Sequence, residues 1–232
     1  MSSRLEGALV ALAGAMLLRL AATDLYLRYV KSSMRVWLLA AGAALVVVGA
    51  CRLWSAGRSR RAGGTAVHRP PKVALLLLVP AVVAFAMPPP SLGAYFASRQ
   101  SAGGAPLRPP SGALTVGADG IAEVTVVDFV RRSLLAPSTL EGVRVRMAGF
   151  VTPDVSGLSD FRVTRFAVGC CAADAVPVYV AVREGEGRQP STDEWVEVVG
   201  RPLPVDGREG RNVPVLAVES VRRIDPPTNP YN

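Results

Sequence analysis

The sequence predicts a membrane α-helical region with three transmembrane helices, followed by an all-β, OB-like small barrel with one short helix. Half of the 232 residues are hydrophobic and the mean hydropathy is +0.31, which is too apolar for a simple soluble domain. The long apolar runs lie within residues 1–98, whereas residues 122–225 contain short alternating segments typical of strands. Between these parts, residues 99–121 are rich in Gly, Pro, Ser and Ala, which is the composition of a flexible linker. Residues 226–232 form a tail.

Three apolar runs predict the helices that cross the membrane, since about 20 helical residues span a bilayer core. The runs cover residues 5–27, 36–54 and 73–90. The second run is the clearest span, because Trp37 and Trp54 bracket it where indole rings favour the two membrane surfaces. The third run is short and carries Pro80, so it spans only thinly.

Three charged residues, Glu6, Arg19 and Asp24, interrupt the first run. A charge at helix depth costs about 2.5–3.5 kcal/mol on insertion scales, so Arg19 is expected to face a partner or a wet cavity. The alternative is that Arg19 reaches the membrane surface and the span is shifted. The loop between the second and third runs has the densest positive charge, which places that loop and the N-terminus in the cytoplasm. The prediction is therefore a multi-pass protein of the cell membrane with an extracytoplasmic C-terminal domain. With two spans instead of three, the C-terminal domain would lie on the cytoplasmic side.

The C-terminal part reads as a small β domain. Residues 122–127 look like a short strand, and residues 128–135 look like a short helix with Asp128 as its N-cap. Five longer strands are predicted at residues 142–152, 161–168, 176–183, 195–201 and 213–224. Strands of this length without a long helical period suit a small closed barrel better than an open sandwich.

One turn between two predicted strands concentrates the reactive groups of the domain, with Cys170 and Cys171 adjacent and Asp174 three positions beyond them. They could be a thiol pair, a strained vicinal disulfide, or ligands of a soft metal ion. The disulfide is the least favoured, because a trans peptide holds neighbouring Cα atoms near 3.8 Å while a bridge prefers about 5.5 Å. As ligands, two thiolates favour zinc or copper(I). The structural alternative is a tight barrel corner with buried cysteines and Asp174 capping the turn.

The residues around this turn carry a resemblance to a family. Arg165-Phe166, the run Cys170-Cys171-Ala172-Ala173-Asp174-Ala175, and Pro177 follow an N-terminal membrane region. In this respect the chain resembles the YcgQ-type family of bacterial membrane proteins. The resemblance implies an accessory subunit of a multi-spanning permease, and some members are associated with metal homeostasis. It also implies that Arg165, Phe166 and Pro177 belong to the family motif or to a partner contact.

No catalytic residues can be assembled, so the chain is not expected to be an enzyme. The one histidine, His68, lies outside the β domain, which leaves no Cys-His or Ser-His pair there. The basic residues act as topology signals, and nucleic acid is not an expected partner. The expected function is an integral membrane accessory subunit of a permease, in contact with lipid, with a tethered β domain and a role in metal homeostasis. The alternative is a membrane-anchored zinc or copper domain that acts without a permease.

Overall fold

The protein is described from a computed structural model, in which the chain divides into two compact units, Met1–Ser91 and Leu92–Asn232. The structure describes residues 3–59, 92–100, 109–110, 112–154, 159–183, 189–206 and 213–231. The third predicted span, 73–90, and His68 therefore lie outside the described residues.

Two α-helices form the described part of the N-terminal unit. They are α1 (Ser3–Ala22) and α2 (Arg35–Ser59), joined through two short 3₁₀ turns, Asp24–Arg28 and Ser32–Met34. The first helix ends before the predicted residue 27, because Thr23 is extended and its hydroxyl donates to the Arg19 carbonyl at 3.1 Å. Arg35 Nε donates to the Ala21 carbonyl at 3.0 Å, which satisfies one of the acceptors that a helix end leaves open.

The two helices pack with their backbones in contact at glycines. A Cβ atom on Gly14 would lie 2.7 Å from the Gly42 carbonyl oxygen, and one on Gly49 would lie 2.6 Å from the Ala11 nitrogen. Small residues allow this close approach, which is a common way for helices to pair in membranes. The seven-residue spacing of Gly42 and Gly49 therefore places both glycines on the face of α2 that contacts α1.

One helical segment of the described chain, Ser32–Ser55, is long and apolar enough to cross a membrane. Only 11 % of its most apolar window is buried within the protein. The prediction of three transmembrane helices needs correction to this extent: within the described residues a single segment meets the criteria, and α1 does not. A helix of this length and composition near the N-terminus is weak support for membrane anchoring.

The C-terminal unit contains a closed five-stranded β-barrel, as the strand pattern predicted. Its elements are α3 (Ala94–Arg99), β1 (Ile121–Glu123), α4 (Val126–Leu135), β2 (Arg144–Thr152), β3 (Phe161–Ala167), β4 (Val176–Arg183), β5 (Trp195–Asp206) and β6 (Val213–Arg223). The strands follow one another as β2-β3-β4-β6-β5, and pairing of β5 with β2 closes the ring. Pairs β4–β6 and β1–β2 are parallel, and β1 lies outside the ring.

Alternating valines fill the barrel, and α4 covers one of its ends. Val145, Val163 and Val180 are fully buried in one core with Phe129 of α4. The helix contacts all five barrel strands, so its apolar face closes the interior. Thr125, one residue before the helix, accepts from the Asp128 nitrogen at 3.1 Å and is the N-cap, instead of the predicted Asp128.

A second core, here called the aromatic cluster, lies on the outside of the barrel. It contains Phe150, Phe166 and Trp195 of the strands together with Phe96 of α3 and Tyr231. The Phe150 and Phe166 rings stack with centroids 5.5 Å apart, and Phe96 meets Phe166 edge-on at 5.9 Å. Helix α3, which lies within the predicted membrane domain, thus packs on the barrel. Tyr231 of the predicted tail also packs there and forms an isolated β-bridge with Phe166.

Candidate metal centre

The two cysteines lie in the loop of the β3–β4 hairpin. The last pairs of that hairpin are Phe166 with Pro177 and Ala167 with Val176, so the strands separate immediately before the loop. Val168 and Ala175 at the two ends of the loop are buried in the aromatic cluster. The packed stem therefore holds the loop at a fixed place at the end of the hairpin.

Asp174 shapes the loop through its carboxylate. Oδ1 accepts from the Gly169 nitrogen at 2.8 Å, and Oδ2 accepts from the Cys170 nitrogen at 2.7 Å. The Asp174 nitrogen in turn donates to the Cys171 carbonyl at 3.1 Å, which closes the short 3₁₀ turn Ala172–Asp174. A Cβ atom on Gly169 would lie 3.0 Å from Asp174 Oδ2, so this capping geometry favours glycine there. The capping role expected for Asp174 is thus present.

The cysteine side chains are adjacent free thiols. Cys170 Sγ and Cys171 Sγ are 3.7 Å apart, well beyond a disulfide bond length of about 2.05 Å. Cys170 is exposed and Cys171 is half-buried, so the corner with two buried cysteines does not describe the loop. The ligand atoms of Cys170, Cys171 and Asp174 all lie within 4.8 Å of one another. One cation could therefore reach all three.

The proton on Cys170 is held by its neighbours. A hydrogen bond to the Asp174 carboxylate, followed by one to Cys171, raises the pKa of Cys170 to about 11. The same Cys170 thiol and the backbone amides around it lower the pKa of Asp174. At neutral pH the loop thus pairs a protonated Cys170 with a carboxylate, and a bound cation would have to displace the thiol proton.

The three motif residues beside the loop, Arg165, Phe166 and Pro177, differ in what they contact. Phe166 is fully buried in the aromatic cluster, and Pro177 pairs with it across the hairpin, so both support the loop. The Arg165 guanidinium carbon lies 5.0 Å from the Trp195 ring centroid, and burial lowers the pKa of Arg165 to about 10. Its Nε and Nη1 are buried and have no hydrogen-bond partner among the residues that the structure describes.

The other predicted polar residues belong to the N-terminal unit. Arg19 lies in the last turn of α1 and Asp24 in the first turn of the following 3₁₀ segment. Their expected contacts within a membrane stay a prediction.

The sequence did not indicate that polar residues of β2, β3 and the loop after β2 lie together. Asp154 pairs with Arg162 at 2.5 Å, and the Arg162 guanidinium lies 4.3 Å from the Tyr179 ring centroid. Beside them, the hydroxyls of Thr152 and Thr164 are 2.7 Å apart and buried. The available signal was the alternation of β3, which places Arg162 and Thr164 on the side opposite Val163.

One comparison with known proteins gives a match. A search of curated proteins and a search of solved structures both found none. The family model for the DUF1980 C-terminal domain matches residues 127–232, which run from the start of α4 through the whole barrel to the end of the chain. That family is uncharacterised, and the match does not extend to the narrower YcgQ-type assignment. The barrel that carries Cys170, Cys171 and Asp174 is thus the part of the chain that matches the DUF1980 C-terminal domain.

Proposed function

We propose that the barrel binds a soft metal cation through Cys170 and Cys171, and that the N-terminal helices anchor it in a membrane. One observation carries the proposal: two free thiols and a carboxylate offer ligand atoms within 4.8 Å of one another on a braced hairpin loop. Thiolates prefer zinc or copper(I) over magnesium or calcium. The proposed activity is binding, not catalysis.

Asp174 is the weaker of the proposed ligands. Both of its oxygens already accept backbone N–H groups, from Gly169 and Cys170. A carboxylate has about four lone-pair positions, so Asp174 can still contact a cation while it holds the loop. Three donors leave at least one position of a tetrahedral ion open, which is the arrangement expected of a site that exchanges its metal.

The finer architecture is part of the same proposal. We assign the barrel to the OB type, because its strands close in the order first, second, third, fifth, fourth, with the third and fifth parallel. We also assign the protein to the cell membrane with three spans, so that the barrel is extracytoplasmic. The basic loop after Trp54 supports that orientation through the positive-inside rule.

Metal titration of the full chain in lipid nanodiscs tests the site. The parent protein carries Cys51→Ser, which leaves Cys170 and Cys171 as its only thiols. Zinc and copper(I) are titrated under reducing conditions against a chromophoric chelator, and bound metal is compared with free thiols. We expect one metal per chain in the parent and none in Cys170→Ser/Cys171→Ser. Asp174→Asn should weaken binding without abolishing it.

Two results would contradict the proposal. The first is stoichiometric binding that persists in the double serine variant, which would place the metal elsewhere. The second is a folded parent protein that binds neither metal. Glu123→Gln is the control for loss of a carboxylate, because Glu123 is an exposed residue of β1 and not part of the hairpin.

A second candidate function is an accessory subunit of a permease, which follows from the resemblance of the chain to the YcgQ-type family. The supporting observation is the outer face of α2, which exposes large apolar residues that α1 does not cover. These are Val36, Trp37, Leu39, Val47, Val48, Leu53 and Trp54. Lipid or another membrane protein would cover this face. Affinity purification from native membranes distinguishes lipid from a protein partner, because a permease subunit should co-purify with one multi-spanning protein in stoichiometric amount. Its absence would contradict the subunit role and leave a lipid-facing anchor.

A further inference from the structure

After β6 the chain returns to the strand that leads into the cysteine loop. Residues 224–231, here called the strap, follow β6 directly. At one end of the strap the Ile224 nitrogen donates to the Trp195 carbonyl at 2.9 Å, and at the other end Tyr231 forms its isolated bridge with Phe166. Residues 225, 226, 228 and 229 in the middle are exposed. The contacts of the strap with the aromatic cluster thus lie at its two ends.

The Tyr231 end of the strap is buried. Tyr231 is 4 % exposed and belongs to the aromatic cluster, and Pro230 before it is buried as well. The Tyr231 nitrogen donates to Asn229 Oδ1 at 3.2 Å, which orders the turn before the bridge. Pro226, Pro227 and Pro230 have fixed φ angles, so the strap loses less conformational freedom when it docks than a chain without proline would. Both features favour the docked position.

Tyr231 lies on the part of β3 where the ladder hydrogen bonds of the hairpin stem are fewest. The register between β2 and β3 runs from Arg162 to Thr164, and Phe166 lies beyond it. On its other side Phe166 faces Pro177, which has no N–H to donate across the hairpin. The bridge from Tyr231 therefore supports β3 immediately before the cysteine loop.

This support extends to the proposed metal ligands through the ends of the loop. Val168 and Ala175, the two ends, are buried in the same aromatic cluster as Tyr231. Between them, the Asp174 carboxylate accepts from the nitrogens of Gly169 and Cys170, which lie on the opposite side of the loop. These bonds require that the two ends of the loop keep their relative position. Loss of the Tyr231 side chain would leave a gap in the cluster and let the ends move apart.

We propose that Tyr231 is a positioning residue for the metal site and that docking of the strap sets the affinity of that site. The inference rests on the proposed function, because the metal must bind at Cys170 and Cys171. With the strap docked, the two thiols and the Asp174 carboxylate stay close enough for one cation. With the strap undocked, the metal binds less tightly and leaves faster. Opening of such a segment is local and does not require the barrel to unfold.

Zinc titration of the full chain in lipid nanodiscs tests the strap, with Cys51→Ser as the parent and a chromophoric chelator as the competitor. Tyr231→Ala should weaken zinc binding by about tenfold or more, which is the usual effect of losing a group that orients a metal ligand. Tyr231→Phe should keep most of the affinity, because its ring still fills the cluster. Leu140→Ala is the matched control and should leave the affinity unchanged. Leu140 is also 4 % exposed, but it lies in the barrel core and not in the aromatic cluster.

Alkylation of Cys170 tests the strap without any metal, in a chain where Cys51→Ser and Cys171→Ser leave one thiol. Movement of the loop separates Cys170 from Asp174, so the pH midpoint of alkylation should fall in Tyr231→Ala and stay unchanged in Leu140→Ala. Asn229→Ala removes only the acceptor of the Tyr231 nitrogen and is the milder variant, with a smaller shift in the same direction.

The proposal is overturned if Tyr231→Ala changes neither the zinc affinity nor the alkylation midpoint, or if Leu140→Ala changes both equally. It is also overturned if Tyr231→Phe binds zinc as weakly as Tyr231→Ala. A parent protein that binds no zinc would contradict the proposed function, and the alkylation midpoint would then decide about the strap by itself. A lower midpoint in Tyr231→Ala would still support the strap, and an unchanged midpoint would refute it.

Discussion

The hydrogen bond from Cys170 to Asp174 makes a quantitative prediction about thiol reactivity. The test uses a chain in which Cys51→Ser and Cys171→Ser leave Cys170 as the single thiol. Asp174→Asn is then introduced into this background. Because the Asp174 carboxylate is the main cause that raises the pKa of Cys170 to about 11, its neutralisation should return that pKa toward 9.0.

The size of the effect follows from the two pKa values. At about pH 9, a thiol with a pKa of 11 is ionised in about 1 % of molecules, and one with a pKa of 9 in about half. Since the thiolate is the reactive form, alkylation of Cys170 should become faster by up to about 50-fold. Cys171 also contributes to the raised pKa, so its removal in both proteins lowers the expected gain to about tenfold or more.

Alkylation rates by iodoacetamide, followed by mass spectrometry from neutral to alkaline pH, measure the effect. Glu123→Gln in the same background controls for the loss of a negative charge. Superimposable rate profiles for the parent and Asp174→Asn would refute the reasoning, because they would mean that the carboxylate does not hold the thiol proton. Metal binding must displace the Cys170 proton, so metal affinity should rise with pH. At pH values below the thiol pKa, the affinity should increase about tenfold per pH unit for each proton displaced.

Three further predictions concern the stability of the barrel, measured by denaturant unfolding of the full chain. Phe129→Ala should lower the free energy of unfolding by about 3–5 kcal/mol, because it leaves a cavity where α4 packs on the barrel core. A decrease below about 1 kcal/mol would contradict that packing. Thr152→Val alone should cost about 1–3 kcal/mol by leaving the Thr164 hydroxyl unpaired, whereas the double variant Thr152→Val/Thr164→Val should be nearly neutral; equal costs would argue against the hydroxyl pair. Arg165→Met should stabilise by about 1–3 kcal/mol, because it removes a desolvated cation that has no ion pair among the described residues; destabilisation would mean that the contact with the Trp195 ring outweighs the cost of desolvation.

The barrel could be predicted because the alternation of apolar and polar residues identifies a strand within its own short segment of sequence. Strand β4 has the predicted bounds, and β3 ends one residue early, since both alternate between core and surface. Strand β5 was predicted to end at residue 201 but continues to Asp206. Residues 204–210 have the composition of a loop, yet β5 continues past Pro204 because the register shifts between Leu203 and Asp206, and irregular pairing tolerates proline.

The surroundings of the barrel could not be predicted in this way. Helix α3 has only six residues, too few to show a helical period, and it is defined by contacts to Phe166 far along the chain. Tyr231 likewise has no local signal for its burial. At the candidate metal site, the sequence indicated the residues and the turn. The sequence also indicated that Asp174 caps the turn, but it could not indicate that the same carboxylate holds a thiol proton, because that depends on the folded loop.

The aromatic cluster connects the cysteine loop with helix α3. It buries Val168 and Ala175, the two ends of the loop, and it also buries Ala94 of α3. A change at Phe166 would therefore disturb the loop and the helix together, so it could not test the metal site by itself. Cys170 is exposed and lies outside the cluster, so loss of metal binding in Cys170→Ser with an unchanged free energy of unfolding would report on the site alone.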